Sequence, residues 1–109
     1  MKEHFKLVVR VPVENADDVR QAMGDAGAGK IGNYSYCSFS VKGTGRFLPN
    51  DAANPHIGSA GVLEQVEEER IEVLVERALA QQVVDAMKKA HPYEEVAFEL
   101  YPVFTSVPS

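Results

Sequence analysis

Apolar and polar positions along the chain fall into a series of short periodic stretches. Phe5, Leu7, Val9 and Val11 alternate with Lys6, Val8 and Arg10, the two-residue period of a strand with one buried face, and Pro12 ends it. Val19, Ala22, Met23 and Ala26 recur at helical spacing, so a helix is predicted from an Asn15 cap to about Ala26, with Asp17 and Asp18 near its positive end and Gly27 as its stop. Tyr34 to Val41 is rich in aromatic and β-favouring residues and reads as a second strand, with Cys37, Phe39 and Val41 on one face. A third strand covers about Val66 to Val75, with Ile71, Val73 and Val75 facing in. Leu79, Val83, Ala86, Met87 and Ala90 mark a second helix from about Arg77 to Ala90, closed by His91-Pro92 because proline disfavours the helical conformation in the residue before it. A last strand runs from about Glu95 to Val103 on the alternation of Val96, Phe98 and Leu100.

The order β-α-β-β-α-β in one small domain points to an α+β, ferredoxin-like sandwich, with both helices on one face of the sheet. The other face then carries Lys6, Val8, Arg10, Arg70, Glu72, Leu74, Ala97, Glu99 and Tyr101. That mixture is too apolar for free exposure and too charged for a core, so it suggests a subunit interface or cavity, with Lys6 and Arg10 able to pair with Glu72 and Glu99. Between the second and third strands, Gly43 to Gly61 holds four glycines and two prolines without a sustained period and reads as a long loop, a feature usually functional, disordered or held by another subunit.

Size and charge narrow the classes. At 109 residues the chain is one domain, with a core at about 5–103 and a frayed tail from Thr105. Its net charge of -5 is local: Glu64, Glu67, Glu68, Glu69, Glu72 and Glu76 against Arg70 account for all of it. Such a run reads first as a solvated face or a guarded strand end. With no basic stripe, binding to nucleic acid or to an anionic membrane is not expected. The charged start does not suit a signal peptide, and the single Cys37 fits a reducing compartment, so a cytoplasmic protein is expected.

Candidate chemistry is sparse. Gly24 to Lys30 fits a phosphate-binding loop for seven positions, but Ile31 replaces the hydroxyl residue and a helix precedes it, so a glycine-rich helix exit is expected. Gly43-Thr44-Gly45 beside Arg46 could turn successive N–H groups toward an anion. Cys37, His56, His91, Glu94 and Glu95 are the residues able to bind a metal or attack a substrate. Cys37, on the expected core face, reads as an inert thiol, and His91 reads equally as a partner of the last carbonyls of its helix. No serine-histidine-aspartate order, paired zinc ligands or dinucleotide fingerprint is present.

Five ordered motifs carry a resemblance: Gly32-Asn33-Tyr34 with Cys37-Ser38-Phe39, Gly43-Thr44-Gly45-x-Phe47-x-Pro49, Asn54-Pro55-x-Ile57-Gly58, Glu69-Arg70-Ile71-Glu72 and His91-Pro92-Tyr93-Glu94-Glu95. Together they resemble the YqfO-type domain, which is inserted between the halves of larger NGG-interacting-factor-like proteins and also stands alone. That domain is similar to the CutA divalent-cation-tolerance and PII signalling proteins. The resemblance implies a homotrimer of non-enzymatic, regulatory type that binds a small ligand or divalent cation in clefts between subunits. On these motifs the expected ligand contacts are Gly32, Asn33, Tyr34, Gly43, Thr44, Gly45, Phe47 and Pro49, while His91, Glu94, Glu95 and Cys37 stand as the metal candidates on their side-chain chemistry. The longer proteins carry a two-metal centre on their flanking halves and a cyclohydrolase-homologue label. This chain, with three histidines and no His-x-x-x-His, does not supply that centre. Two alternatives stand beside the leading reading: a small hydrolase using Cys37 or a metal-bound water at His91 and Glu94, and a partner that docks on a separate metal-bearing enzyme.

Overall fold

A computed structural model describes residues 3–109. Strand β1 (His4–Pro12) leads through a single 3-10 turn into helix α1 (Ala16–Asp25); β2 (Phe39–Phe47) and β3 (Glu64–Glu76) follow, then helix α2 (Ala80–Ala90) and strand β4 (Phe98–Val103). The four strands form one sheet in the order β2-β3-β1-β4 with every pair antiparallel. This is the expected ferredoxin-like arrangement.

The core lies between the helices and one sheet face. Leu7, Val9 and Val11 of β1 and Ile71, Val73 and Val75 of β3 meet Val19 and Met23 of α1 and Val83, Val84 and Met87 of α2, and all are buried. Odd-numbered positions of both central strands face the helices, as their alternation predicts. On the other face the register aligns Val8 with Glu72 and Glu99, and Arg10 with Arg70. The like-charged Arg10–Arg70 pairing is offset by acids alongside: Arg10 bonds Glu99 at 2.5 Å and Arg70 lies 3.3 Å from Glu72. The expected Arg10–Glu99 pair therefore forms, whereas Glu72 is taken by Arg70 rather than by Lys6. At the far end of the same strand pair, His4 stands opposite Val103.

The second strand is displaced from its expected place. Residues 31–38 are a turn and an irregular run, and β2 begins only at Phe39. Ile31 and Tyr34 exchange both backbone hydrogen bonds around Gly32-Asn33, and Tyr36 has φ 58, which no strand permits. Aromatic content had suggested a strand, but local turn chemistry wins. Gly43 to Phe47, expected in the loop, instead continues β2, with Gly43 opposite Glu68 and Gly45 opposite Val66. Glycines add no side chain to an alternating pattern, so the strand is silent there. The register also puts Phe39 and Val41 on the face away from the helices, where both are exposed.

Smaller differences follow the same logic. Asn15 precedes α1 as expected, but its side chain makes no capping bond. A 3-10 turn serves instead, with the Ala16 N–H donating to the Val13 carbonyl. β4 starts at Phe98 rather than Glu95, because residues 91–97 form the irregular junction after α2. Gly29 has φ 83, and a Cβ there would stand 2.5 Å from the Cys37 carbonyl oxygen, so glycine is required for the chain to double back beside residue 37.

Candidate functional site

A cleft of about 700 Å³ opens at the end of the sheet where β1 finishes and β2 runs out. One wall is the loop after Phe47, with Leu48, Pro49, His56 and Ile57; the other is the junction after α2, with Tyr93, Glu94 and Glu95; Arg10, Gly45 and Glu68 form the floor.

Tyr93 organises the interior. Its hydroxyl donates to Glu68 Oε2 at 3.0 Å, its ring meets Phe47 edge-on at 5.9 Å, and His56 lies 6.4 Å away. Burial and the neighbouring Glu68 carboxylate together push the Tyr93 hydroxyl well above its usual pKa, so it remains a donor. Glu68 belongs to the acidic run, yet it is buried, in contrast to the solvated face expected there. Its place depends on Gly45, where a Cβ would fall 2.1 Å from Glu68 Oε1. Next in the run, Glu69 points to the helix side and bonds Arg20 of α1 at 2.5 Å.

His91 sits behind Tyr93, with the two rings 5.0 Å apart. Its Nδ1 accepts the Tyr93 N–H at 3.1 Å, which leaves Nε2 to carry the proton and donate to the Arg10 carbonyl at 2.7 Å. Burial lowers its pKa below 6.5, favouring this neutral form. The ring thus bridges the junction to β1, rather than serving the last carbonyls of its own helix. With both nitrogens engaged, His91 has no lone pair free for a cation.

Of the expected ligand contacts, Gly45, Phe47 and Pro49 line the cleft, and of the metal candidates Glu94 and Glu95 do. Gly43 and Thr44 lie along β2 outside it. In an extended strand successive N–H groups point to opposite edges, so the Gly43-Thr44-Gly45 amides do not converge on an anion. Gly32, Asn33 and Tyr34 form the exposed turn before β2 and are not in the lining. Cys37 is half-buried, contrary to the expected core position, and belongs to a separate depression of about 280 Å³ with Arg20 and Tyr36. Among the described residues no group of three or more His, Cys, Asp or Glu is placed to hold a metal ion. Sequence reading missed Arg10, Glu68 and Tyr93 as site residues. Tyr93 stood inside a quoted motif, and Gly45, two residues along β2 from the residue paired with Glu68, was the available signal for Glu68.

The fold is a ferredoxin-like α+β domain of the kind seen in CutA and PII-type proteins. The structure of CutA from Archaeoglobus fulgidus superposes with TM-score 0.68 at 16% identity, covering 95% of this chain and 87% of that one. Bacillus subtilis GlnK, solved as an ATP complex, superposes with TM-score 0.63, also at 16% identity, over 94% of this chain and 84% of that one, so the fold is shared. Sequence similarity is much higher elsewhere: the chain is 57% identical over 99 residues to a GTP cyclohydrolase 1 type 2 homolog of Halalkalibacterium halodurans, covering 91% of this chain and 27% of that protein. A Bacillus cereus protein related to NIF3 matches at 52% identity and TM-score 0.82, over 94% of this chain and 26% of that one. The chain therefore spans about a quarter of the length of the curated relatives it matches. No family model matches it.

Proposed function

We propose that this chain is a non-enzymatic, regulatory ligand-binding domain that acts as a cytoplasmic homotrimer and takes a small organic anion in the cleft. The observation that carries the reading is the cleft itself. Its volume of about 700 Å³ lies within the usual range for small-molecule sites, and it combines an apolar and aromatic wall with a few fixed polar groups. Arg46 lines it, is exposed, and has no ion-pair partner among the described residues, so it offers the charge that an anion needs. A divalent cation is the weaker ligand reading, because His91 is fully hydrogen-bonded and Cys37 lies elsewhere. The same two facts count against a hydrolase built on Cys37 or on a metal-bound water at His91 and Glu94. Self-association is supported by the outer sheet face, where Phe39, Val41 and Tyr101 are exposed beside the Arg10–Glu99 and Arg70–Glu72 pairs. Among the described residues no helix is long and apolar enough to cross a membrane.

Native mass spectrometry of the purified chain, followed by titration with ATP, inorganic phosphate and magnesium as separate probes, tests this reading. A trimer mass with a retained anion, or saturable binding of ATP or phosphate that Arg46→Ala weakens, supports it. A monomer at micromolar concentration that binds none of the probes overturns it.

A second reading, that the domain docks on a metal-bearing enzyme, is favoured by one observation: the relatives it matches are about four times its length. Stable association of the purified chain with the remaining segments of such a relative would support this reading, and no association at high micromolar concentration would remove it.

A further inference from the structure

We propose that residues 48–63 form a lid over the cleft and that Glu94 is its latch, a positioning residue whose carboxylate holds the lid closed through the amide of Asn54. The inference rests on the reading of the cleft as a ligand site for its purpose, but the latch itself is observable without any ligand.

The lid supplies one wall of the cleft and the 91–97 junction the other, so the spacing of the two sets the width of the cleft. Most of the lid's hydrogen bonds are internal. The Gly61 N–H donates to the Pro49 carbonyl at 2.8 Å, Val62 to Ser59 at 3.2 Å, Ala53 to Asn50 at 3.2 Å, and Ala52 to Asn50 Oδ1 at 3.0 Å. None of these reaches across. Among the described residues, a single hydrogen bond ties the lid to the facing wall, from the Asn54 N–H to Glu94 Oε1 at 2.7 Å.

Local sequence aims that amide. Pro55 follows Asn54, has no N–H of its own, and keeps Asn54 out of the helical region, so its N–H is not drawn into a local helical turn. The His56 ring, one residue further on, meets Tyr93 in a tilted contact, so the lid tip touches the junction through one bond and one ring pair. Asn54 and Glu94 are both exposed, and a bond that competes with water can break and reform without disturbing the core. The cleft then has an open form that admits a ligand and a latched form that surrounds it, and a ligand touching both walls favours the latched one. Glu95 lines the same cleft with no hydrogen-bond or ion-pair partner among the described residues, and serves as an internal control.

Amide hydrogen exchange by NMR on the full chain, without ligand, tests the latch in Glu94→Ala, Glu94→Gln and Glu95→Ala. Glu94→Ala should speed Asn54 exchange about five- to tenfold, the loss of one solvent-exposed bond to a charged acceptor. Val9, in the centre of β1, should exchange as in the parent, which separates lid opening from global unfolding. Glu94→Gln keeps a carbonyl acceptor and should fall between, while Glu95→Ala should leave Asn54 unchanged. Equal Asn54 exchange in the parent and Glu94→Ala overturns the proposal. So does an equal effect of Glu95→Ala, because local charge and not the bond would then set the rate. Failure here would leave a ligand site standing, and failure of every ligand titration would leave the latch standing.

Discussion

Gly43 and Gly45 form a matched pair that isolates the contribution of the Glu68–Tyr93 contact. Both lie in β2 with ordinary extended backbone, so replacement by alanine reduces unfolded-chain freedom equally and should stabilise each by about 0.4–1 kcal/mol. Their surroundings differ. A Cβ at Gly43 meets nothing within 4 Å, whereas one at Gly45 would stand 2.1 Å from Glu68 Oε1 and 2.4 Å from its Cδ. Glu68 can swing aside, but only by giving up the Tyr93 hydroxyl at 3.0 Å. A hydrogen bond to a charged group contributes about 1.5–3 kcal/mol, and partial rehydration of the displaced carboxylate reduces this to roughly 1–2. Gly43→Ala should therefore be neutral or stabilising, and Gly45→Ala should be less stable than Gly43→Ala by about 1–2 kcal/mol, since the backbone effect cancels in the difference. Urea unfolding at pH 7 measures both midpoints, with an unchanged slope as the sign that the denatured state is the same. In a Tyr93→Phe background the bond is already gone, so the gap between the two alanine variants should shrink. Equal stabilities for Gly43→Ala and Gly45→Ala would refute the reasoning, as would a gap that Tyr93→Phe leaves untouched.

Other expectations follow from groups around the site. Because burial lowers the His91 pKa below 6.5, the unfolded chain takes up a proton first as the solution is acidified. The stability associated with neutral His91 is full above that value and is lost as pH falls through the lowered folded value, so the parent's urea midpoint should drop over this interval more than that of His91→Gln. Gly29→Ala combines φ 83 with backbone at 2.5 Å, which cannot swing away, and should cost at least about 2 kcal/mol in a thermal or urea melt. Arg20→Ala removes the bonds from α1 to Glu69 and Ser40 and should destabilise by about 1–2 kcal/mol, whereas truncating the exposed Asp17 partner should change the melt by less than about 0.5 kcal/mol.

Legibility in the sequence tracked side-chain periodicity. β1, β3 and α2 were readable because their buried positions carry large apolar residues at a regular spacing, and the helix-facing residues of β3 lie where Ile71, Val73 and Val75 alternate. β2 was not, because Gly43 and Gly45 interrupt the alternation and Tyr34 to Cys37 has the composition of a strand with the conformation of a turn. The site shows the same division. Phe47 and Pro49 came from a stretch without a period and Glu94 and Glu95 from a helix-to-strand junction, and chain geometry brought the two together. Glu68 was hidden because its neighbours have the same charge and different surroundings, a distinction set by the opposing strand and not by the run itself. His91 was visible as a chemically capable group, but only its two partners, on β1 and at Tyr93, show that its nitrogens are already used.

The pairing of His4 with Val103 places the first residue of β1 beside the last of β4. Tension applied to the chain on both sides would open the β1–β4 ladder one hydrogen bond at a time, like a zip, rather than shearing all its bonds together. Under such a load the ladder opens from that corner. Arg10 at the cleft floor lies six residues along β1 from His4, about 20 Å at the usual strand rise. An attachment at that corner leaves the mouth of the cleft unobstructed, and the first bonds to part under load are the ones farthest from it.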